Sequence, residues 1–161
     1  MPPPELILFS DFDGDWTLYE AALDEIFVRE IRSGLTLDGL PVHCRRIPES
    51  DGRWAAFWHL IQEGKIEDER TPDLRRCERI RWVRWVIDNA NSAPEILRWE
   101  NARGTEKNVL LWYREEYLVV LSKRSGYLLL KTAYCTDKKG RIADLRRERD
   151  EFLRQRGRQN S

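Results

Sequence analysis

The sequence predicts an α+β fold: an N-terminal helical segment with a hairpin, then a helix, a four-stranded antiparallel sheet and a C-terminal helix. Two observations predict this class. Apolar residues recur at helical spacing in the first half of the chain, and from residue 95 onward the apolar period changes to two. The period-two runs are joined by connections too short for a crossover helix, which predicts an antiparallel meander.

Three helices and a hairpin precede the predicted sheet. Apolar spacing predicts a helix from about Thr17 to Ser33, and an Asp-Gly turn at 38–39 predicts a hairpin. The aromatic segment GRWAAFWHLIQEG predicts a second helix. A third begins near Thr71, which can cap it, with Pro72 at its first helical position. Its predicted buried stripe is Leu74, Cys77, Ile80, Val83 (or Arg84) and Ile87.

The four predicted strands are EILRWEN, NVLLWY, YLVVLS and YLLLKTAY, and a charged helix that starts near residue 137 follows them. In the last strand, simple alternation places Leu128, Leu130, Thr132 and Tyr134 on one face. Two hydroxyl groups at i and i+2, at the end of an apolar strand, can both contact one bound oxyanion. The alternative is that Thr132 favours the strand conformation and Tyr134 packs at the sheet edge.

The charge is balanced over the 161 residues but divided between the two halves of the chain. Residues 1–70 carry 7 Lys and Arg against 15 Asp and Glu, whereas residues 71–161 carry 21 against 13. The halves therefore have net charges of −8 and +8. We predict an acidic N-terminal helical and hairpin segment over 1–70 and a basic α+β domain over 71–161. The basic half predicts a surface for a polyanion, or two halves that attract each other.

Several classes of protein are excluded. No apolar run approaches the ~20 residues that a membrane-spanning helix needs, and the first 20 residues are acidic where a signal peptide is basic. The odd number of cysteines, Cys44, Cys77 and Cys135, contains no CxxC pair, so free thiols in the cytoplasm are predicted. The His and Cys spacing is irregular and no phosphate-binding Gly-rich loop is present, so we expect no metal and no cofactor.

The opening LILFSDFDGD resembles the start of the haloacid-dehalogenase phosphatases, in which the first Asp of Asp-x-Asp-Gly attacks phosphate. Asp11 and Asp13 would take those positions. Such enzymes need a parallel α/β sheet, and no βαβ alternation follows here. Asp15 also stands where that family has Thr or Val. We therefore interpret Asp15 or Thr17 as the cap of the following helix.

Five segments, FWHLI, DLRRCERIRW, ILRWEN, YLVVLSKR and LLLKTAY, resemble those of a set of phage- and prophage-encoded proteins. The C-terminal portion of those proteins is grouped with the barnase–EndoU–colicin–RelE-like nuclease superfamily. Its members share an arginine-bearing helix, a four-stranded meander and a basic helix more than they share particular residues. The resemblance covers residues 71–150 best and 54–62 less closely.

The resemblance implies metal-independent RNA cleavage, in which a ribose 2′-hydroxyl attacks the adjacent phosphate. This reaction needs a base, an acid and cations that stabilise the phosphorane. EndoU-type enzymes use two His, a Lys and a final-strand Thr or Ser with Tyr, and Thr132 and Tyr134 match that last pair. Neither His43 nor His59 lies in the sheet portion, so the histidine pair is not matched.

The remaining catalytic candidates each have a structural alternative. His59 is an acid/base candidate, or points outward from an aromatic helix. Glu100 resembles the acidic base of barnase-like sites, or is a strand-end surface carboxylate. Arg79 can hold a phosphate with both its amino groups, or pairs with Asp73, Glu78 or the acidic half. The predicted RNA-backbone contacts are Arg75, Arg76, Lys123, Arg124 and Lys131.

The leading function is thus a cytoplasmic ribonuclease-like protein of phage or prophage origin that acts on RNA. A toxin paired with an antitoxin is one role that remains open. The alternative is a catalytically inert phage accessory protein that binds RNA or a host protein through the same basic face. A third interpretation is a structural module in which the acidic and basic halves pack between subunits.

Overall fold

The structure is a computed structural model that describes residues 1–66 and 69–159. Its helices are α1 (Trp16–Ile26), α2 (Ala55–Ile61), α3 (Leu74–Glu78), α4 (Ile80–Asp88) and α5 (Lys139–Gln159). A π-helical segment, Phe27–Arg32, continues α1. The strands are β1 (Leu35–Leu37), β2 (Leu40–Cys44), β3 (Gln62–Glu63), β4 (Thr71–Pro72), β5 (Ile96–Arg103), β6 (Glu106–Tyr113), β7 (Tyr117–Lys123) and β8 (Leu128–Cys135).

The main sheet has six strands in the order β1-β2-β8-β7-β6-β5, and β3 and β4 form a separate pair. The α+β class is confirmed. Strands β5 to β8 are paired antiparallel in sequence order, as the short connections require. The prediction of a four-stranded antiparallel sheet is nevertheless wrong, because the β1–β2 hairpin joins the sheet and β2 pairs with β8 in parallel. The sheet is therefore mixed.

The predicted hairpin at the Asp-Gly turn is confirmed. Asp38 and Gly39 have φ angles of 54° and 79°, the left-handed conformations that a tight two-residue hairpin turn requires. Leu35, Leu37 and Val42 of the hairpin are buried in the core shared with the second half of the chain. The acidic and basic segments therefore contribute to one hydrophobic core.

Helices cover both faces of the sheet. On one face, residues of α1 to α4 pack against β-strand residues such as Leu111, Val119 and Leu130. Trp82 and Trp85 make edge-to-face contacts with Tyr113 there, at ring-centroid distances of 5.7 and 5.0 Å. We call this face the four-helix face. No helix among the described residues is long and apolar enough to cross a membrane.

On the opposite face, which we call the α5 face, the C-terminal helix packs over a smaller core. Trp99 and Trp112 are fully buried there, with ring centroids 5.7 Å apart. Leu145 is the buried residue of α5, and Ile142 and Phe152 pack beside it. The indole nitrogen of Trp112 donates to Thr136 Oγ1 at 2.8 Å, which ties the sheet to the segment before α5.

A carboxylate of α5 also holds the helix on the sheet. Glu148 accepts hydrogen bonds from Trp99 Nε1 at 2.8 Å, from Asn101 Nδ2 at 3.1 Å and from Arg103. Burial raises the pKa of Glu148, but the hydrogen bonds from these three donors outweigh it, so the pKa lies below its ordinary value. The ionised carboxylate is therefore the form that the fold stabilises.

We expect Glu148→Gln to lower the free energy of unfolding by about 1–2 kcal/mol at neutral pH, because one acceptor oxygen becomes a donor. A folded-state pKa below the unfolded value of about 4.3 gives stability that is present above that pH. It is lost as pH falls through the folded pKa, so the free energies of unfolding of variant and wild type should converge in acid.

Urea unfolding from pH 7 to pH 3 measures this convergence. Asp150→Asn, an exposed change on the same helix, is the control; a difference that stays constant with pH would contradict the prediction.

The helix-start predictions have mixed outcomes. Asp15 caps α1, because its Oδ1 accepts from the backbone N–H of Leu18 at 3.2 Å, and this prediction is confirmed. The start near Thr71 is wrong: Thr71 and Pro72 pair with β3, and Asp73 is the cap of α3. That helix also ends at Glu78 and restarts as α4, since Arg79 has φ −106° and ψ 18°. Leu74, predicted to be buried, is 46% exposed.

A β-bulge in β8 makes one prediction wrong, namely that Leu128, Leu130, Thr132 and Tyr134 share one face of the strand. Thr132 pairs with Val120 while Leu130 pairs with the next residue, Leu121, so Lys131 is the extra residue. The extra residue resets the alternation. Leu128, Leu130 and Ala133 therefore lie in the core of the four-helix face. Thr132 and Tyr134 do share a face with each other, but it is the α5 face, opposite to Leu128 and Leu130.

Candidate functional site

The candidate site is a groove where the end of β8 meets the start of α5 on one side and α3 on the other. We call it the basic groove. It has a volume of about 480 Å³. Its floor is formed by Tyr134, Cys135 and Thr136, its cations are Arg75, Arg76, Lys138 and Arg141, and its carboxylates are Glu63, Asp73 and Asp137. Strand β2 pairs with β8 only as far as Leu130, which leaves this end of β8 free to line the groove.

Tyr134 is the centre of the groove. Its hydroxyl oxygen accepts two hydrogen bonds from Arg141, from Nε at 3.0 Å and from Nη2 at 2.7 Å. The guanidinium carbons of Arg76 and Arg141 lie 5.5 and 5.9 Å from the centroid of its ring. The ring is thus in a cationic environment, and its oxygen helps to position the Arg141 fork at the groove surface.

Arg76 is a structural residue of the groove wall. Its Nη1 donates to the carbonyl oxygens of His59 at 3.0 Å and Gln62 at 2.7 Å, at the end of α2. It also reaches Thr132 Oγ1 at 3.5 Å, and its Nε lies 3.3 Å from an Asp73 carboxylate oxygen. Only 13% of its side chain is exposed. These partners fix Arg76 and leave it little capacity for a ligand.

Arg75 points to the opposite wall. Its Nη1 donates to Asp137 Oδ2 at 2.5 Å, and both side chains are about half exposed. This ion pair bridges α3 and the segment before α5. Exposed ion pairs of this kind contribute little to stability, so a ligand anion can replace Asp137 as the partner of Arg75 at small cost.

Two cations at the start of α5 have no carboxylate partner within residues 1–66 and 69–159. Lys138 and Arg141 are exposed, and the first turn of α5 contains no acidic residue. The N-terminus of a helix carries a partial positive charge, so cations placed there are unfavourable and an anion is favourable. Within the described residues, no carboxylate balances the positive charge of Lys138, Arg141 and this helix N-terminus.

Cys135, on the groove floor, is not suited to act as a nucleophile. Burial raises the pKa of its thiol above the ordinary value, and this outweighs the opposite influence of Arg79 and Arg75. The neutral thiol is therefore the form present near neutral pH. Cys77 is more strongly affected, because burial raises the pKa of its thiol to about 12.

Glu100 does not join Thr132 and Tyr134. It lies on the four-helix side of β5, where it pairs with Val109 of β6. Its carboxylate accepts from Lys123 Nζ at 2.5 Å beside a second depression of about 300 Å³. The structure therefore places Glu100 in an ion pair, apart from the basic groove.

The other residues predicted to contact RNA also form ion pairs within the protein. Arg124 and Lys131 both bind Glu106, at 3.2 and 2.7 Å. Hydrogen bonds from Lys131 and then Arg124 lower the pKa of Glu106, so its carboxylate stays ionised and holds both cations. Of the five predicted RNA-binding residues, the basic groove contains Arg75 and Arg76 only.

His59 and Arg79 lie outside the groove lining. His59 is in α2, and its carbonyl oxygen binds Arg76. Arg79 is only 11% exposed; it donates to the Arg75 carbonyl oxygen at 3.3 Å, and its guanidinium carbon lies 5.2 Å from the Trp82 ring centroid. Its Nη1 lies 3.5 Å from a carboxylate oxygen of Glu78, one of the partners that the sequence suggested.

Lys138 and Arg141 were not among the residues predicted for the site. A signal for them exists in the sequence: the segment DKKGR places three cations where a helix begins, although acidic residues are the favoured type there. Glu63 and Asp137 had no such signal, because only the fold brings them beside Tyr134.

Comparison of the chain with known protein families, with curated proteins and with solved structures finds no match.

Proposed function

We propose that this protein binds RNA through the basic groove, with a backbone phosphate held by Arg141, Lys138 and Arg75. The observation that carries the proposal is that Lys138 and Arg141, which have no carboxylate partner among the described residues, lie at the positive end of a 21-residue helix. Phosphate groups favour helix N-termini and arginine forks because both supply N–H donors in a fixed direction. The net charge of +8 on residues 71–161 supports a polyanion as the ligand.

The groove is suited to an exposed phosphate on a flexible strand. Arg75, Arg141 and Lys138 approach it from two walls, and Tyr134 orients the Arg141 fork. These cations are exposed, so binding a phosphate removes little protein surface from water. The same geometry would bind a phosphate without reading the base, which predicts weak sequence preference.

The test is binding of a fluorescent twelve-nucleotide single-stranded RNA by fluorescence anisotropy at about 0.1 M salt. We expect Arg141→Gln to weaken binding about three- to tenfold, because one charge-assisted contact is lost. Asp137→Asn should strengthen binding by about two- to fivefold, since Arg75 loses its internal competitor. The two changes act in opposite directions at one groove.

Two controls separate the groove from overall charge. Arg46→Gln removes one exposed cation that pairs with Glu49, and Glu25→Gln removes one exposed carboxylate that pairs with Arg29. Neither should change affinity by more than about twofold, because exposed charges beyond a Debye length of about 10 Å are screened. Equal effects of Asp137→Asn and Glu25→Gln, or no effect of Arg141→Gln, would contradict the proposal.

RNA cleavage is the second candidate, and one observation favours it. The exposed carboxylate of Glu63 lines the same groove as the Tyr134 hydroxyl, so a base and a hydroxyl donor stand beside the proposed phosphate position. Incubation of labelled RNA with excess protein and a chelator tests it. Intact RNA supports binding alone, and cleavage that Glu63→Gln and Tyr134→Phe both abolish would establish the ribonuclease.

A further inference from the structure

A second charged depression adjoins the basic groove along α5. It lies between α5 and the edge strand β5 and has a volume of about 520 Å³. Its cations are Arg103 of β5 and Arg141, Arg147 and Arg154 of α5, and Asp144, Glu148 and Glu151 lie among them. We call it the α5 trough. Arg141 lines both the groove and the trough, so the two surfaces are continuous.

We propose that the ligand of the basic groove is an RNA strand of several nucleotides that continues along the α5 trough, and that a mononucleotide or a free phosphate occupies only the groove. This inference rests on the proposed function, since it extends the same site. The strand would pass Arg141 and then contact Arg147 and Arg154 in turn.

The three arginines line one depression, although they do not form one stripe on the helix. Arg147 and Arg154 lie about 20° apart around a helix with 3.6 residues per turn, whereas Arg141 lies about 120° from Arg147 and reaches the trough from its other edge. At a rise of about 1.5 Å per residue the stretch spans about 20 Å. A stacked strand carries a phosphate about every 3.4 Å, so about six phosphates fit over this length.

The arginines of the trough are available to a ligand. Arg147 and Arg154 are 73% and 59% exposed, and each pairs with a carboxylate three residues before it, Asp144 and Glu151. Pairs this exposed contribute little to stability, so exchanging a carboxylate for a phosphate costs little. By contrast, Arg103 is held by Glu148 and is a wall of the trough.

The test is a length series of labelled single-stranded oligouridylates of two, four, eight and twelve nucleotides, measured by anisotropy with the full-length protein. We expect the affinity to rise about tenfold or more between two and eight nucleotides and then to level off. The double variant Arg147→Gln/Arg154→Gln should bind the dinucleotide as wild type does and lose most of the length dependence. Its salt slope for the octamer should fall by about 1.4.

The matched control is Arg29→Gln/Arg46→Gln. These arginines are 61% and 66% exposed and form similar local ion pairs with Glu25 and Glu49. The control should keep the full length dependence. Equal affinity for two and eight nucleotides, or equal effects of the two double variants, would contradict the proposal that the strand continues along the α5 trough. Arg141→Gln would still test the basic groove separately.

Two further outcomes would also overturn the inference. If polyglutamate of matched charge competes as well as the octamer, the trough responds to negative charge alone and not to an RNA strand. If no oligonucleotide of any length binds, the proposed function and this extension fail together.

Discussion

Leu145→Ala is expected to lower the free energy of unfolding by about 2–5 kcal/mol, the range for deleting a buried leucine side chain and leaving a cavity. Leu145 is 1% exposed and is the residue of α5 buried in the apolar cluster that contains Trp99 and Trp112. The other contacts of the helix are partly exposed: Ile142 and Phe152 pack beside Leu145, and Glu148 and Arg141 make polar contacts with Trp99 and Tyr134. They cannot replace the lost apolar contact.

The same helix offers a matched control. Leu153→Ala removes an identical side chain that is 43% exposed, so its effect should be far smaller. Urea unfolding followed by tryptophan fluorescence measures both variants. If Leu145→Ala is folded but α5 is loosened, RNA binding should fall with it, because Arg141 loses its position. Similar stability of the two variants would show that α5 is not held as described.

Arg76→Ala is expected to cost about 2–3 kcal/mol of stability, since the carbonyl oxygen of His59 loses its side-chain donor and that of Gln62 keeps only Arg70 as one. It also removes the partner of the Asp73 carboxylate. Arg76→Lys should recover only part of the loss, because a single ammonium nitrogen cannot replace both Nη1, which donates to the two carbonyl oxygens, and Nε, which lies beside the Asp73 carboxylate.

The neighbouring arginine is the control for this prediction. Arg75→Ala should change stability by no more than about 0.5 kcal/mol, because its exposed pair with Asp137 is screened by solvent. In RNA binding the order should reverse among the folded variants: Arg75→Ala weakens binding directly, and Arg76→Lys, which keeps the charge, much less. Equal stability of Arg75→Ala and Arg76→Ala would contradict the structural role of Arg76.

Local sequence signals predicted the parts of the fold that depend on neighbouring residues. The Asp15 cap, the turn at Asp38 and Gly39 and the four meander strands all follow from such signals. The parallel pairing of β2 with β8 could not be predicted in this way, because Val42 and Leu128 are far apart in the chain. The bulge at Lys131 has the same origin, since the register of β8 is set by β7 and by the core on each face.

The candidate site shows the same limit. Thr132 and Tyr134 were correctly placed on one face, but which face depended on the bulge. Arg75 and Arg76 are adjacent in sequence and chemically identical, and only the packing of α2 makes one a structural residue and the other a groove residue. The groove itself joins β3, α3, β8 and α5, and no local pattern could bring those elements together.

The parallel pairing of β2 with β8 has a consequence for the order in which the protein folds. Strands β5 to β8 pair with their sequence neighbours, so their contacts close short loops and can form early. Val42 meets Leu128 only after most of the chain has been brought back on itself, which has a larger entropic cost. The hairpin should therefore join a sheet that already exists, and amide hydrogens of β1 and β2 should exchange with solvent before those of β6 and β7.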